Sequence, residues 1–273
     1  MPDINPVWTT VTLPQLLAHG AGLRLLADRA LKSRVLSSGG DLLHQRLEIA
    51  WHTLARPPKR WPGGKFSWSG YSNLGYVLAG AVLEHLTGRA WEDLMRERLF
   101  LPLGITTGGF GPPGTPGKTD QPWGHSWITG KPIDPGSANL PSFYGPAGLA
   151  HMTVPDWAKF VGMHLQGNPA NPHRQAALLR PDTFAALHTN AIAETYSAGW
   201  KLATERWAKG SRPGDTGRVL WHAGSDGRWF SAVAMAPEID FAVLVACNRC
   251  PDIAAWKIRQ AGKALIRAFA PEG

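Results

Sequence analysis

The spacing of apolar residues changes character once along this 273-residue chain, and that change limits what it can fold into. Up to about residue 165 the spacing is helical; in the last third it becomes short alternating runs between polar turns. Thr12 and Gln15 stand at capping-box spacing, with Pro14 in a first turn that needs no N–H there, and Gly20 and Gly22 stop the segment. A second helix is predicted over 41–56, with Leu43, Leu47, Ala50, Trp51 and Leu54 as its apolar stripe and Pro57 and Pro58 after it. A third is predicted over 73–87, with Leu74, Leu78, Ala81, Val82 and Leu86 inward and Gly88 as its stop. A short fourth runs through Trp91, Leu94 and Leu99, and Thr153 with Asp156 opens another that reaches Leu165. Strands are predicted over 197–204, 218–222, 229–236 and 241–246, then a helix over 252–269. Helices first and an antiparallel sheet with a closing helix afterwards imply an α+β fold. The expected organisation is a mainly helical region over 1–195 and a sheet-plus-helix region over 196–273, packed as one unit. The Gly/Pro-rich stretch 108–148 is too long for a mere connector and reads as a functional loop or lid.

Composition narrows the function classes. Apolar residues make up 44% and charged residues 18%, as in an ordered globular protein, and no apolar run is long enough to span a bilayer. The net charge of +8 comes from scattered Lys and Arg, without a basic arm or a nucleic-acid motif, so it reads as solvated surface and no nucleic-acid partner is expected. Cys247 and Cys250 form a C-x-x-C, but no second pair follows and no His lies beyond His222. The pair therefore reads as a strand-end residue and a turn thiol. His44, Glu48 and His52 recur one helical turn apart and read as a solvated polar face. Neither metal nor cofactor is expected. Met1-Pro2-Asp3 has no signal-peptide character, and the sequence assigns no compartment.

Three stretches carry polar groups suited to chemistry at a carbonyl. Tyr71-Ser72-Asn73 precedes a predicted helix: the phenol can move a proton if cationic neighbours lower its pKa, and Asn73 can both donate to and accept from a substrate amide. His222-Ala223-Gly224-Ser225 ends a predicted strand, where Gly224 lets a ligand approach the backbone and the Ser225 N–H can serve an oxyanion. Gly145-Pro146-Ala147-Gly148-Leu149 leads into the Thr153 helix.

With these stretches in this order, the chain resembles the superfamily of penicillin-binding proteins and class C β-lactamases, including its esterase and D-aminopeptidase branches. Leu16-Leu17-Ala18-His19-Gly20-Ala21-Gly22-Leu23 resembles its "L-L-x-H-x-S-G-L" stretch, and Tyr71-Ser72-Asn73 its Y-x-N. Phe100-Leu101-Pro102-Leu103-Gly104 resembles "F-x-P-L-G", and His222-Ala223-Gly224 the strand carrying K-T-G or H-x-G. The resemblance implies a β-lactamase/transpeptidase-like fold and acyl transfer from an ester, amide or β-lactam to water. It implies Tyr71 as base or proton relay, Asn73 orienting substrate, His222 in the third-motif position, and Gly224 with the Ser225 N–H at the oxyanion. His222 and Ala223 in place of Lys and Thr remove a cation and a hydroxyl that would hold a β-lactam carboxylate, so an esterase or peptidase acting on a small ester, amide or peptide is expected.

The same resemblance calls for a nucleophilic Ser in S-x-x-K, one helical turn before a Lys. The residues three positions before each of the ten lysines are Arg29, Arg56, Pro62, Thr115, Ile128, Asp156, Ala198, Arg206, Ala254 and Gln260, and none is Ser. Ala223-Gly224-Ser225-Asp226-Gly227 imitates a nucleophile elbow, but every His precedes Ser225, so the required chain order fails. The family places its first strands and its nucleophile helix ahead of the L-L-x-H stretch, which here begins within the first dozen residues. Truncation is the expectation, with a binding or scaffold relative as the alternative. The predicted physical consequence is an open edge on the 241–246 strand, incomplete cover on the last helix, and self-association through that edge.

Overall fold

The computed structural model describes residues 4–63, 70–126, 128–137, 140–173, 178–189, 195–249 and 253–271. Cys250 lies outside the described residues. The chain forms two compact units, the first built from Met1–Leu99, Pro141–Leu149 and Asn190–Gly199, and the second from Phe100–Leu140, Ala150–Thr189 and Trp200–Gly273.

The first unit is helical. Helix α1 (Leu13–Leu17) opens where the sequence predicts, with the Thr12 N–H donating to Gln15 Oε1 at 2.8 Å. Helix α2 (Arg29–Ser38) has no counterpart in the sequence reading; Asp28 caps it by accepting from the Leu31 N–H at 2.8 Å. Helix α3 (Leu42–Leu54) lies within the predicted 41–56, with Asp41 as its N-cap, and α4 (Asn73–Thr87) has the predicted bounds, ending at Gly88 in the left-handed conformation. Helix α5 (Trp91–Met95), a short α6 (Gly145–Gly148) and the strand β3 (Tyr196–Ser197) complete the unit.

The buried faces of α3 and α4 differ from the predicted stripes. On α3 the buried residues are Arg46, Ile49 and Ala50, while Trp51 is exposed. On α4 Leu74, Leu78 and Ala81 are buried as predicted, together with Gly75, Val77, Gly80 and Glu84, while Val82 and Leu86 face solvent. Close backbone approach explains the choice on α4. A Cβ at Gly75 would sit 2.8 Å from the Leu16 carbonyl oxygen, and one at Gly80 would sit 2.5 Å from Pro146 Cγ. The small-residue face is the one that lets α1 and α6 pack so tightly. A charged network selects the face of α3. Fully buried Arg46 pairs with Glu84 and Glu92, and its Nε donates to the Phe143 carbonyl at 3.2 Å. Glu84 also accepts the Trp91 N–H at 2.8 Å. Burial pushes the Glu84 carboxyl above its ordinary pKa, and these hydrogen bonds and Arg46 pull against it.

The second unit contains most of the strands. Strands β1 (Gly109–Phe110) and β2 (Ala150–His151) pair antiparallel. Strands β4 (Trp200–Thr204), β5 (Arg218–Ser225), β6 (Phe230–Ala236) and β7 (Phe241–Cys247) form a consecutive antiparallel meander. Helix α7 (Val154–Gly167) lays Val161 and Leu165 on Trp200, Leu220, Val233 and Met235. Asp156 does not complete a capping box. Its carboxylate accepts from the Thr106 and Thr107 N–H groups at 2.8 Å each, tying the preceding loop to the helix. Helix α8 (Pro181–His188), unforeseen in the sequence, adds His188 to a buried chain: His164 Nδ1 lies 2.9 Å from His188 Nε2, and Asn168 Nδ2 lies 2.7 Å from His188 Nδ1.

The Gly/Pro-rich stretch is strapped to the sheet end. Trp229 Nε1 donates to the Pro122 carbonyl at 3.1 Å, and Asn248 Nδ2 to the Trp123 carbonyl at 2.8 Å. Helix α9 (Ile253–Phe269) packs on β6 and β7, with Trp256 and Phe269 exposed. Strand β7 ends the sheet order, and among the described residues no strand pairs with its outer edge.

Candidate functional site

The predicted site residues divide between the units: Tyr71 and Asn73 in the first, His222, Gly224 and Ser225 in the second. Tyr71-Ser72-Asn73 is a corner at the start of α4. Ser72 is the N-cap, with extended backbone, and its Oγ accepts from the Gly75 N–H at 3.3 Å while donating to the Arg24 carbonyl at 2.6 Å. The Asn73 N–H donates to the Leu25 carbonyl at 3.0 Å. These bonds fix where Tyr71 and Asn73 leave the backbone, on either side of one buried serine.

Tyr71 is half-buried, and its ring lies 4.1 Å, centroid to centroid, from that of His19. Burial raises the Tyr71 phenol above its ordinary pKa. A base at this position needs the opposite direction, the one cationic neighbours would give. The sequence reading assigned His19 no role. The structure buries it at the end of α1, at a φ of 58°, with Nδ1 3.1 Å from both the N–H and the carbonyl of Ser72. Tyr76 and Tyr196 complete the cluster, at centroid distances of 5.5 and 4.7 Å from His19. The available signal was a polar aromatic residue between a Leu-Leu run and glycines, a place where a helix must end.

In the second unit, β5 carries the other motif. The register aligns His222 with Val233 and Gly224 with Ser231. Side chains two apart share a sheet face, so His222 and Gly224 lie on the face of Leu220 and Val233, the face that α7 covers. The pairing of β4 with β5 ends at Lys201 and Trp221, so Ala223, Gly224 and Ser225 run past the start of β4. A Cβ at Gly224 would meet no described atom within 4 Å, so backbone crowding does not force a glycine there. Ser225 is exposed, and its Oγ accepts the Gly227 N–H at 2.9 Å. Asp226 Oδ1 accepts the N–H groups of Arg228 and Trp229, both at 2.9 Å, which closes the turn to β6.

The remaining polar candidates are absorbed by local contacts. Glu48 lies 4.0 Å from His52 and 3.9 Å from Arg34 on the surface of α3, and Cys247 Sγ lies 3.1 Å from the Arg249 carbonyl. No helix among the described residues is long and apolar enough to cross a membrane.

Comparison with known proteins gives this geometry a family. Penicillin-binding protein 4 of Amycolatopsis lactamdurans is 30% identical over 237 residues, covering 84% of this chain and 57% of that protein. This chain thus spans little more than half of that relative's length. A D-stereospecific amidohydrolase from Streptomyces sp. shares the fold, with a TM-score of 0.67 at 20% identity, over 96% of this chain and 79% of that one. A class C β-lactamase does likewise, with a TM-score of 0.68 at 15% identity, over 98% of this chain and 71% of that one. The fold is the β-lactamase/transpeptidase-like α+β fold that the motifs imply. A family model described as Beta-lactamase matches residues 3–267, and the chain belongs to that family.

Proposed function

We propose that the chain carries substrate-orienting residues of a serine hydrolase for acyl transfer from a small ester, amide or peptide. The family match over residues 3–267 carries this reading, because it includes both polar motifs, Tyr71-Ser72-Asn73 and His222-Ala223-Gly224. In it Tyr71 relays the proton between nucleophile and leaving group, and Asn73 holds the substrate's carbonyl or amide. His222 occupies the third-motif position, and Gly224 with the Ser225 N–H serves the developing oxyanion. The raised Tyr71 phenol suits a relay that keeps its proton at rest and needs a cation beside it to release it. The 30% identical relative is a penicillin-binding protein. His222 and Ala223 favour an uncharged ester or a peptide here, since neither supplies the cation or hydroxyl that a β-lactam carboxylate would use.

Within these 273 residues no Ser stands three before a Lys, so this stretch by itself binds without turnover. That census favours a binding-only relative as the second reading. Fluorophosphonate labelling and a chromogenic short-chain ester test the point, and labelling of any Ser in this chain, or ester turnover by it, defeats the no-turnover claim. Translating the DNA upstream of Met1 separates the readings. An in-frame S-x-x-K supplies the nucleophile, and the longer protein then loses most ester turnover on Tyr71→Phe. We also propose that the outer edge of β7 lets copies associate. Concentration-dependent sedimentation that Ala246→Lys weakens is the expected result, and a monomer at all concentrations removes the proposal.

A further inference from the structure

His19 is tied to both candidate residues of the first unit, yet no step of acyl transfer uses it. Its ring packs on Tyr71 at 4.1 Å with the planes tilted by 36°. Its Nδ1 lies 3.1 Å from the Ser72 N–H and from the Ser72 carbonyl, the peptide groups that join Tyr71 to Asn73. A His protonated at Nε2 accepts the Ser72 N–H through Nδ1, so one side chain holds a ring by its face and a peptide by its edge.

The backbone delivers the ring at some cost. His19 takes a φ of 58°, a left-handed conformation uncommon outside Gly, although His, like Asn and Asp, adopts it more readily than most residues. Its N–H is held by the Leu16 carbonyl at 3.2 Å, and the Gly20 N–H by the Gln15 carbonyl at 2.8 Å, so the turn is closed on both sides. Tyr76 reinforces the same wall, with its Oη donating to the Leu17 carbonyl at 2.8 Å. Such strain persists where the surroundings over-determine it, which is common at functional corners.

We infer that His19 is a positioning residue for the Tyr71-Ser72-Asn73 corner, its ring setting the Tyr71 ring and its Nδ1 setting the Ser72 peptide. The inference rests on the proposed roles of Tyr71 and Asn73 in acyl transfer, and its test does not need turnover. Asn accepts the left-handed backbone and keeps an acceptor, but it has no ring. In His19→Asn the Tyr71 ring loses its support while the rest of the unit stays packed.

The experiment is tetranitromethane nitration, followed tyrosine by tyrosine by peptide mass spectrometry. Tyr144 is the internal control: it is buried in the same unit, and its Oη accepts the Ala27 N–H at 3.0 Å. In His19→Asn nitration of Tyr71 is expected to rise about tenfold while Tyr144 keeps its parental rate. An unchanged Tyr71 rate overturns the inference. So does a parallel rise at Tyr144, which would show that His19 supports the unit as a whole. Should His19→Asn give no folded protein, His19→Gln is read by the same two rates, and loss of Tyr144 protection in both variants again overturns it. Nitration reports on the corner whether or not an ester is cleaved, so this inference and the hydrolase reading fail by different results.

Discussion

The two units bury polar side chains in opposite ways. The first seals a charged network, Arg46 with Glu84 and Glu92, between α3, α4 and α5. The second seals a neutral chain, His164 with His188 and Asn168, between α7 and α8. A buried charge tolerates its site only while its partner is present, because a lone ion in the interior costs several kcal/mol. A buried imidazole tolerates its site only while it stays uncharged. The first network is thus vulnerable to substitution and the second to acid.

The largest effect is expected from removing the shared cation. Arg46→Met leaves two carboxylates facing each other in the interior and should cost about 3–5 kcal/mol, read by urea unfolding. Replacing Arg46, Glu84 and Glu92 together with apolar residues of similar size should recover most of that loss. If the single and triple variants are equally unstable, the cost lies in packing and not in unpaired charge.

Acid comes next. Burial lowers His164 to about 3, with His188 adding to the shift, and burial lowers His188 to about 4, with Arg218 adding to it. Both folded values lie below the ordinary value of 6.5, so the unfolded chain takes up protons first as the pH falls. The stability these two groups contribute is complete above about pH 6.5 and declines as the pH drops towards 4. Between pH 7 and pH 5.5 the expected loss is about 2 kcal/mol. His188→Leu should flatten that slope, whereas Arg46→Met should lower the curve and return part of its loss as the pH falls, because Glu84 then lacks the cation that pulls its carboxyl down. An unchanged slope in His188→Leu would show that other groups drive acid sensitivity.

A smaller effect is expected at the α4 cap. Ser72→Ala removes both the acceptor for the Gly75 N–H and the donor to the Arg24 carbonyl, and should cost about 1 kcal/mol. The smallest is expected on the outer face of the same helix. Leu86→Lys should change stability by less than about 0.5 kcal/mol, since Leu86 is exposed. A large loss there would restore the stripe that helical periodicity predicts.

That stripe shows where sequence periodicity stops. Periodicity located α3 and α4, and Gly88 marked the end of α4, because such signals act within one turn of chain. It misassigned only part of their inner faces: Ala50, Leu74, Leu78 and Ala81 are buried as predicted, whereas Trp51, Val82 and Leu86 are exposed, because a face is chosen by what lies opposite. Gly75 and Gly80 look like weak helix residues until Leu16 and Pro146 are placed against them. Arg46 looks like a surface residue until Glu84 and Glu92 arrive from two other helices. Helices α2 and α8 were missed for a related reason. Both are short, and their identity rests on Asp28 as a cap and on His188 packing into α7, not on a long apolar stripe.

The candidate site divides along the same line. Sequence alone singled out Tyr71, Asn73, His222, Gly224 and Ser225 as candidates, and determined that no Ser stands three before a Lys within these 273 residues. These are matters of residue type and local spacing, which the order of the chain contains in full. Only the tertiary structure decided that His19, some fifty residues upstream, holds Ser72 and Tyr71, and that Tyr71 is raised by burial. Contacts between distant segments and the loss of water around a side chain exist only after the chain has packed.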